Sequence, residues 1–285
     1  MTKPHFNQRF ELPFKAVLLR VLDGGRRPLF HASGFVRKEG NDLFLYTCWH
    51  VVTGYDKNDL KVTSSLPNRA FLEVEMKNVV QRQPGVEAIG GVQSVVIPLY
   101  DTSVTPKRPL WLQDQRHVPH PDLNAIGIFV PFWHDVVKLC LPEGVNASDV
   151  LVIEESDVFP PTTLLTCGDK LYVVGFPYGF SATGADSPTP VVLTRYVAAT
   201  QFGAARSGTR HQEILLESVG APGMSGGPVF VERDSGIHLL GVYTGLLYPD
   251  HVIEGNEKHT ALGTCSNMSL SLWGHLPLVA QPSES

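Results

Sequence analysis

Cysteine is scarce in this chain, with four in 285 residues. Cys48, Cys140, Cys167 and Cys265 lie far apart and form no CxxC pair, so they make neither a disulfide scaffold nor a redox motif. Four thiols in a reducing compartment is the simpler reading. Charge of one sign is lacking as well. A formal net charge of −5 and a pI near 6.1 give no electrostatic reason to expect nucleic acid or an anionic membrane as the main partner. No run reaches the roughly 18 apolar residues of a membrane span. The opening MTKPHFNQRFELPFKAVLLRVL has neither the basic start nor the apolar run and small-residue cleavage site of a secretory signal, so the expected location is cytoplasmic. None of the histidines sits in an HExxH or Cys/His spacing typical of zinc, and neither metal nor cofactor is expected. Helical periodicity over a long window is missing too, apart from a short terminal helix expected over Met268 to Leu276.

What the chain does have is 43% hydrophobic residues, enough for a sizeable core, dealt out in short β-branched and aromatic runs. Phe14 to Leu22, Ala32 to Arg37, Leu43 to Cys48, Phe71 to Met76 and Val92 to Tyr100 read as strands between turn residues. Leu171 to Gly175, Val191 to Gln201, Glu213 to Ser218, Pro228 to Glu232, His238 to Thr244 and Thr260 to Ser266 repeat that texture. Many short strands without crossover helices argue for an all-β antiparallel sandwich or barrel architecture. A boundary is expected near Val130 to Leu141, where AIGIFV meets Pro131, dividing the chain into 1–130 and 131–285. Long loops are expected at Asp101 to Pro121, Phe180 to Pro190 and Gly203 to His211.

The strongest local signal is APGMSGGPVF, Ala221 to Phe230. Ser225 stands among three glycines, closed by a proline and a strand-like run. A serine hydroxyl is a weak nucleophile, so it needs an adjacent base and donors aimed at the developing oxyanion. Gly223 lets the backbone turn its N–H inward beside that of Ser225. The G-x-S-x-G elbow of α/β-hydrolases also fits these residues, but it requires a helix directly after the serine, and VFVE reads as a strand. The bland alternative is a glycine-rich turn between two strands.

Upstream, LFLYTCWHVV ends an apolar strand on His50, a candidate general base. A carboxylate is then needed to hold the other imidazole nitrogen. Asp122 is the preferred candidate because HPDLNAIGIFVP places it just before an apolar run. Asp101 and Asp135 are the alternatives, the latter in the expected linker.

These segments resemble the His, Asp and Ser motifs of the trypsin/chymotrypsin clan, in its chain order, and most closely its HtrA-like branch. SGFVRKEGNDLFLYTCWHVV is similar to the strand pair ending in T-A-A-H-V-V. CGDKLYVVGFPYGF and PGMSGGPVF are similar to the branch's G-D-x-V-x-x-G-x-P-x-G and P-G-N-S-G-G-P segments. The resemblance runs from about Phe14 to Leu276 and implies two six-stranded β-barrels with the catalytic groups at their junction. It implies a serine endopeptidase acting on protein or peptide, with an oxyanion hole at Gly223 and Ser225. Its primary pocket would be formed by Val219, Val242, Tyr243 and Thr244, none of them acidic, so a small or medium apolar residue is expected before the scissile bond. Cys48 and Trp49 replace small residues of the family pattern, so packing behind His50 must differ. Met224 replaces the Asp that secreted trypsins pair with a freed N-terminus. Gating by an activating protein partner is therefore expected rather than proteolytic maturation. A catalytically silent binding module and an esterase are the competing readings.

Overall fold

The computed structural model describes residues 11–57, 60–62, 69–83, 86–132, 134–148, 150–160, 165–179, 190–204, 210–218, 220–247, 262–267 and 273–274. The first unit is a six-stranded antiparallel sheet. Its strands are β1 (Val17–Leu22), β2 (Pro28–Glu39), β3 (Asp42–Thr47), β4 (Phe71–Gln83), β5 (Val86–Pro98) and β6 (Val137–Cys140), in the order β6-β3-β2-β1-β4-β5. The second is a closed barrel of β7 (Lys170–Gly175), β8 (Val191–Ala204), β9 (Arg210–Leu216), β10 (Pro228–Arg233), β11 (Gly236–Leu247) and β12 (Leu262–Asn267), in the order β7-β8-β9-β12-β11-β10. Closure leaves the second unit no free edge to aggregate.

Period-2 alternation explains how the units are joined. In β7 and β10, Leu171, Val173, Val229 and Val231 point into the second barrel's own core. The residues between them, Tyr172, Val174 and Phe230, are also buried, but in a cluster that includes Leu19, Phe35, Leu45 and Trp49 of the first unit. Successive side chains on a strand leave on opposite faces, so a strand apolar on both faces must be covered on both. Described segments from early and late in the chain add further ties. Lys15, in the 3₁₀ turn that precedes β1, pairs with Asp157 at 2.9 Å. Trp273–Gly274 returns to pair with Gln113–Asp114.

Two expectations are corrected here. β6 pairs with β3, Val137 facing Thr47, so the first unit extends through Cys140 and does not end at residue 130. The Val136 to Leu141 run, broken up by prolines on either side, reads as linker only when its partner strand is unknown. Of the helix expected over Met268 to Leu276, residues 268–272 and 275–276 lie outside the described residues, and Trp273–Gly274 is strand.

Candidate active site

His50 lies in a single helical turn, α1 (Trp49–Thr53), immediately after β3. Cys48 is its extended N-cap and Gly54 its left-handed C-cap, whose N–H donates to His50 O at 3.0 Å. The turn is held from below by Arg69, which is 4% exposed and donates from Nη1 to His50 O and Val51 O, both at 2.5 Å. Its guanidinium also lies 4.2 Å from the Phe30 ring centroid. Burial holds the Arg69 pKa down to about 10. Behind His50, Trp49 is fully buried and its indole Nε1 donates to Phe129 O at 3.0 Å. That is how the larger residues at positions 48 and 49 are housed.

The partner of His50 is Asp135. His50 Nδ1 is 2.5 Å from Asp135 Oδ2, and the His50 backbone N–H donates to Asp135 Oδ1 at 2.9 Å. The register that sets Val137 opposite Thr47 carries Asp135 to Trp49, whose N–H donates to Asp135 O at 3.3 Å. Asp122, the preferred sequence candidate, is instead an exposed first-turn residue of the helix α2 (Pro121–Ala125), which His120 caps by accepting from Leu123 N at 3.3 Å. An acidic residue there complements the turn's N–H groups, and PDLNA is helical rather than a strand lead-in. Asp101 is spent on Arg108 and Ser103. The signal that finds Asp135 is the one applied to Asp122, a carboxylate just before an apolar strand, once Val137–Cys140 is recognised as that strand.

Burial pushes the His50 imidazolium pKa down, but the Asp135 charge and hydrogen bond, with Asp56 adding to them, outweigh burial and the opposing charge of Arg69. The net shift is upward from 6.5.

Ser225 is half-buried in the loop before β10. One acceptor ties that loop to the His50 segment. Tyr243 O receives Gly226 N–H at 2.8 Å and the Cys48 thiol at 3.3 Å. Ser33, fully buried on β2, forms a second clamp. Its N–H donates to Ser225 O at 2.9 Å, its hydroxyl donates to Gly223 O at 2.7 Å and accepts from Phe176 N at 2.9 Å. Ser33 is part of the resembling segment, yet its role is invisible in sequence because its partners are remote along the chain.

Gly226 has φ +89, and a Cβ there would meet Ser33 O at 2.1 Å and Thr47 Oγ1 at 2.2 Å. Only glycine fits that close approach. Gly223 has φ +94, with Phe176 O 2.5 Å from its would-be Cβ. Among the described residues, the N–H groups of Gly223 and Ser225 donate to no protein group. Two such donors beside a half-buried hydroxyl form a place for an anionic oxygen.

Of the expected pocket residues, Val219 lies outside the described residues. Val242 is buried in the cluster shared with the first unit, and Thr244 is buried at 9% exposure. Tyr243 is 2% exposed and packs in the second core with Met224. Its hydroxyl accepts from Gly220 N at 2.8 Å, and a Cβ at Gly220 would lie 2.6 Å from that oxygen. The ring thus fills the space beneath Gly220. Glu217 is exposed and accepts from Tyr196 N at 2.5 Å. Among the described residues, one set of side chains could hold a metal ion, namely Cys48, His50 and Asp135.

A family profile, the trypsin-like peptidase domain, matches residues 32–242, which include His50, Asp135 and Ser225. No curated protein matches the chain. The HtrA-type protease AlgW with a tripeptide superposes with a TM-score of 0.52 at 13% identity, over 93% of this chain and 60% of that one. A substituted form of AlgW, also with a tripeptide, gives 0.51 at 13% identity and the same coverage. The active form of the Rv3671c protease from M. tuberculosis gives 0.46 at 15% identity, over 93% of this chain and 81% of that one. The chain spans about 60% of AlgW's length, and at these identities the likeness to solved structures is one of fold. The family match covers most of the chain and agrees with the double β architecture and the placement of the Ser225 and His50 segments, so the chain belongs to the trypsin-like peptidase domain family of serine endopeptidases.

Proposed function

We propose that this chain hydrolyses peptide bonds through an acyl-enzyme on Ser225, with His50 as general base and Asp135 as the carboxylate that orients it. The observation that carries the reading is the contact between His50 Nδ1 and Asp135 Oδ2 at 2.5 Å, on a turn joined to the Ser225 loop through one shared carbonyl. With Nδ1–H facing Asp135, the imidazole presents Nε2 as its proton acceptor. Ser225 Oγ attacks the scissile carbonyl as its proton passes to Nε2, and the tetrahedral oxyanion takes the N–H groups of Gly223 and Ser225. The imidazolium then protonates the leaving amine, and water repeats the sequence on the acyl group. Asp135 stabilises the transient imidazolium and holds the required tautomer.

Labelling by a fluorophosphonate probe tests this directly. The wild-type chain is expected to label and Ser225→Ala is not. A folded wild type that fails to label would favour the silent binding module. Labelling and ester cleavage without cleavage of any peptide in a mixed library would favour the esterase.

The proposed substrates are proteins or peptides with a small apolar residue before the scissile bond. Tyr243 filling the space beneath Gly220 supports small, and Glu217, the acidic residue two positions before Val219, is engaged with Tyr196 N. An unpaired cationic side chain buried there would cost several kcal/mol, more than the ~1–3 kcal/mol that apolar contacts discriminate. We further propose a cytoplasmic enzyme switched by a protein partner. Met224 is fully buried and carries no carboxylate for a new N-terminus, which supports regulation without proteolytic maturation. The segments expected to receive the partner, 180–190 and 203–211, lie mostly outside the described residues.

A further inference from the structure

The corner between β3 and α1 and the lead-in to β6 bring together three donors that hydrolysis does not use as a set. The thiol sulfur of Cys48, a ring nitrogen of His50 and a carboxylate oxygen of Asp135 all lie within 4.8 Å of one another. No zinc spacing is visible in sequence, because Asp135 is 85 positions from His50. One sulfur, one nitrogen and one oxygen suit a borderline-soft divalent ion, zinc above all, with bonds of about 2.3 Å to sulfur and about 2.0–2.2 Å to nitrogen and oxygen. A tetrahedral shell built on those bonds holds its ligand atoms roughly 3.3–3.8 Å apart. The 2.5 Å contact between His50 and Asp135 therefore opens by about 1 Å to admit the ion. Cys48 is fully buried, but His50 and Asp135 keep side-chain exposures of 20% and 13%, which makes theirs the open side of the cluster.

We propose that zinc binds to Cys48, His50 Nδ1 and Asp135, with water completing the shell, and thereby inhibits the peptidase. The inhibition rests on the reading of His50 as base, whereas the binding does not. In the hydrolytic state the Nδ1 proton faces Asp135 and Nε2 is the acceptor. When the ion takes Nδ1, that proton moves to Nε2 and the Cys48 thiol releases its proton to solvent. Bonds from zinc to S, N and O form as S–H, Nδ1–H and zinc–water bonds break, with no change of oxidation state. The thiol also gives up its hydrogen bond to Tyr243 O. An imidazole with its proton on Nε2 cannot accept one from Ser225. Because a proton leaves, zinc affinity rises with pH.

The test uses the full chain as wild type, Cys48→Ala and Cys48→Ser, the serine variant keeping a donor for Tyr243 O, with circular dichroism to confirm that each is folded. Two readouts are followed. The first is fluorophosphonate labelling during titration with zinc chloride, with magnesium chloride as control and EDTA for reversal. The second is the thiolate-to-metal charge-transfer absorption on adding cobalt(II). Zinc is expected to abolish wild-type labelling, EDTA to restore it and magnesium to leave it unchanged, while both variants need at least about tenfold more zinc. The cobalt band is expected in wild type and to be lost in both variants, whose spectra also subtract any contribution from the exposed Cys140 and Cys167. Equal zinc sensitivity in the variants, or a cobalt band unchanged by Cys48→Ser, would overturn the proposal. If no form labels at all, the peptidase reading fails, and the cobalt band still decides whether the metal site exists.

Discussion

Replacing Asp135 by Asn is the sharpest test of the site, because it changes one atom in a contact that carries two separate jobs. The carboxylate accepts from Nδ1–H at 2.5 Å and from the His50 backbone N–H at 2.9 Å. An asparagine oxygen can keep one of these. If its oxygen stays on the backbone N–H, its NH₂ faces Nδ1 and demands an acceptor there. The ring then carries its proton on Nε2, the tautomer that cannot take the proton of Ser225. In a Ser-His-Asp site this change costs about 10⁴ in kcat, or roughly 5.5 kcal/mol of transition-state stabilisation. Steady-state hydrolysis of a peptide with alanine before the scissile bond, at fixed pH and with active sites titrated, reads it directly. Asp122→Asn is the matched control, and its exposed place on α2 predicts a rate within about twofold of wild type. Near-wild-type turnover in Asp135→Asn, or a collapse in Asp122→Asn, would refute the assignment.

The acid limb of kcat/KM should have its midpoint above 6.5, since Asp135 raises the His50 pKa and the base works only when neutral. Activity therefore rises with pH through that midpoint, and NMR titration of the imidazole should show the midpoint falling in Asp135→Asn. The same raised value means that the stabilising His50–Asp135 pairing is fully present below the unfolded pKa, near 6.5, and fades as pH climbs through the folded one; denaturant melts across that window check it. Arg69→Met should cost about 2–4 kcal/mol in urea unfolding, because two carbonyls of α1 lose a charged donor. It should also move the His50 midpoint upward, since the Arg69 charge opposes that of the imidazolium. Ser33→Ala should lower stability by about 1–3 kcal/mol, leaving Gly223 O and Phe176 N without their partner, and should reduce kcat more than it changes KM. Tyr243→Ala should admit larger residues before the scissile bond in a mixed peptide library, and an unchanged profile would place the pocket elsewhere. Alkylation of the unreduced, denatured protein should modify all four cysteines, with the exposed Cys140 and Cys167 reacting before denaturation.

The elements legible from sequence were those whose cause is local. Alternating apolar runs made most of the strands visible, because each must bury at least one face wherever its partner lies. The Ser225 loop was legible because a close backbone approach needs glycine at fixed positions along one short segment. His50 could be found as a histidine just past an apolar strand beside that need for a base, although the strand ends at Thr47 and His50 sits in the helical turn that follows. Partnership across the chain was decided by tertiary structure alone. PDLNA and HDVVKLC each set an aspartate before an apolar run, and nothing local tells a capped helical turn from a strand that will pair with Phe44 to Thr47. Once β6 docks on β3, register carries Asp135 to the imidazole and leaves Asp122 on the surface. The same docking, across 85 positions of sequence, brings the Asp135 carboxylate beside the Cys48 sulfur as well as the imidazole. Ser33 and Arg69 acquire their roles likewise, by hydrogen-bonding backbone atoms that any residue would supply, so their partners leave no trace in residue type.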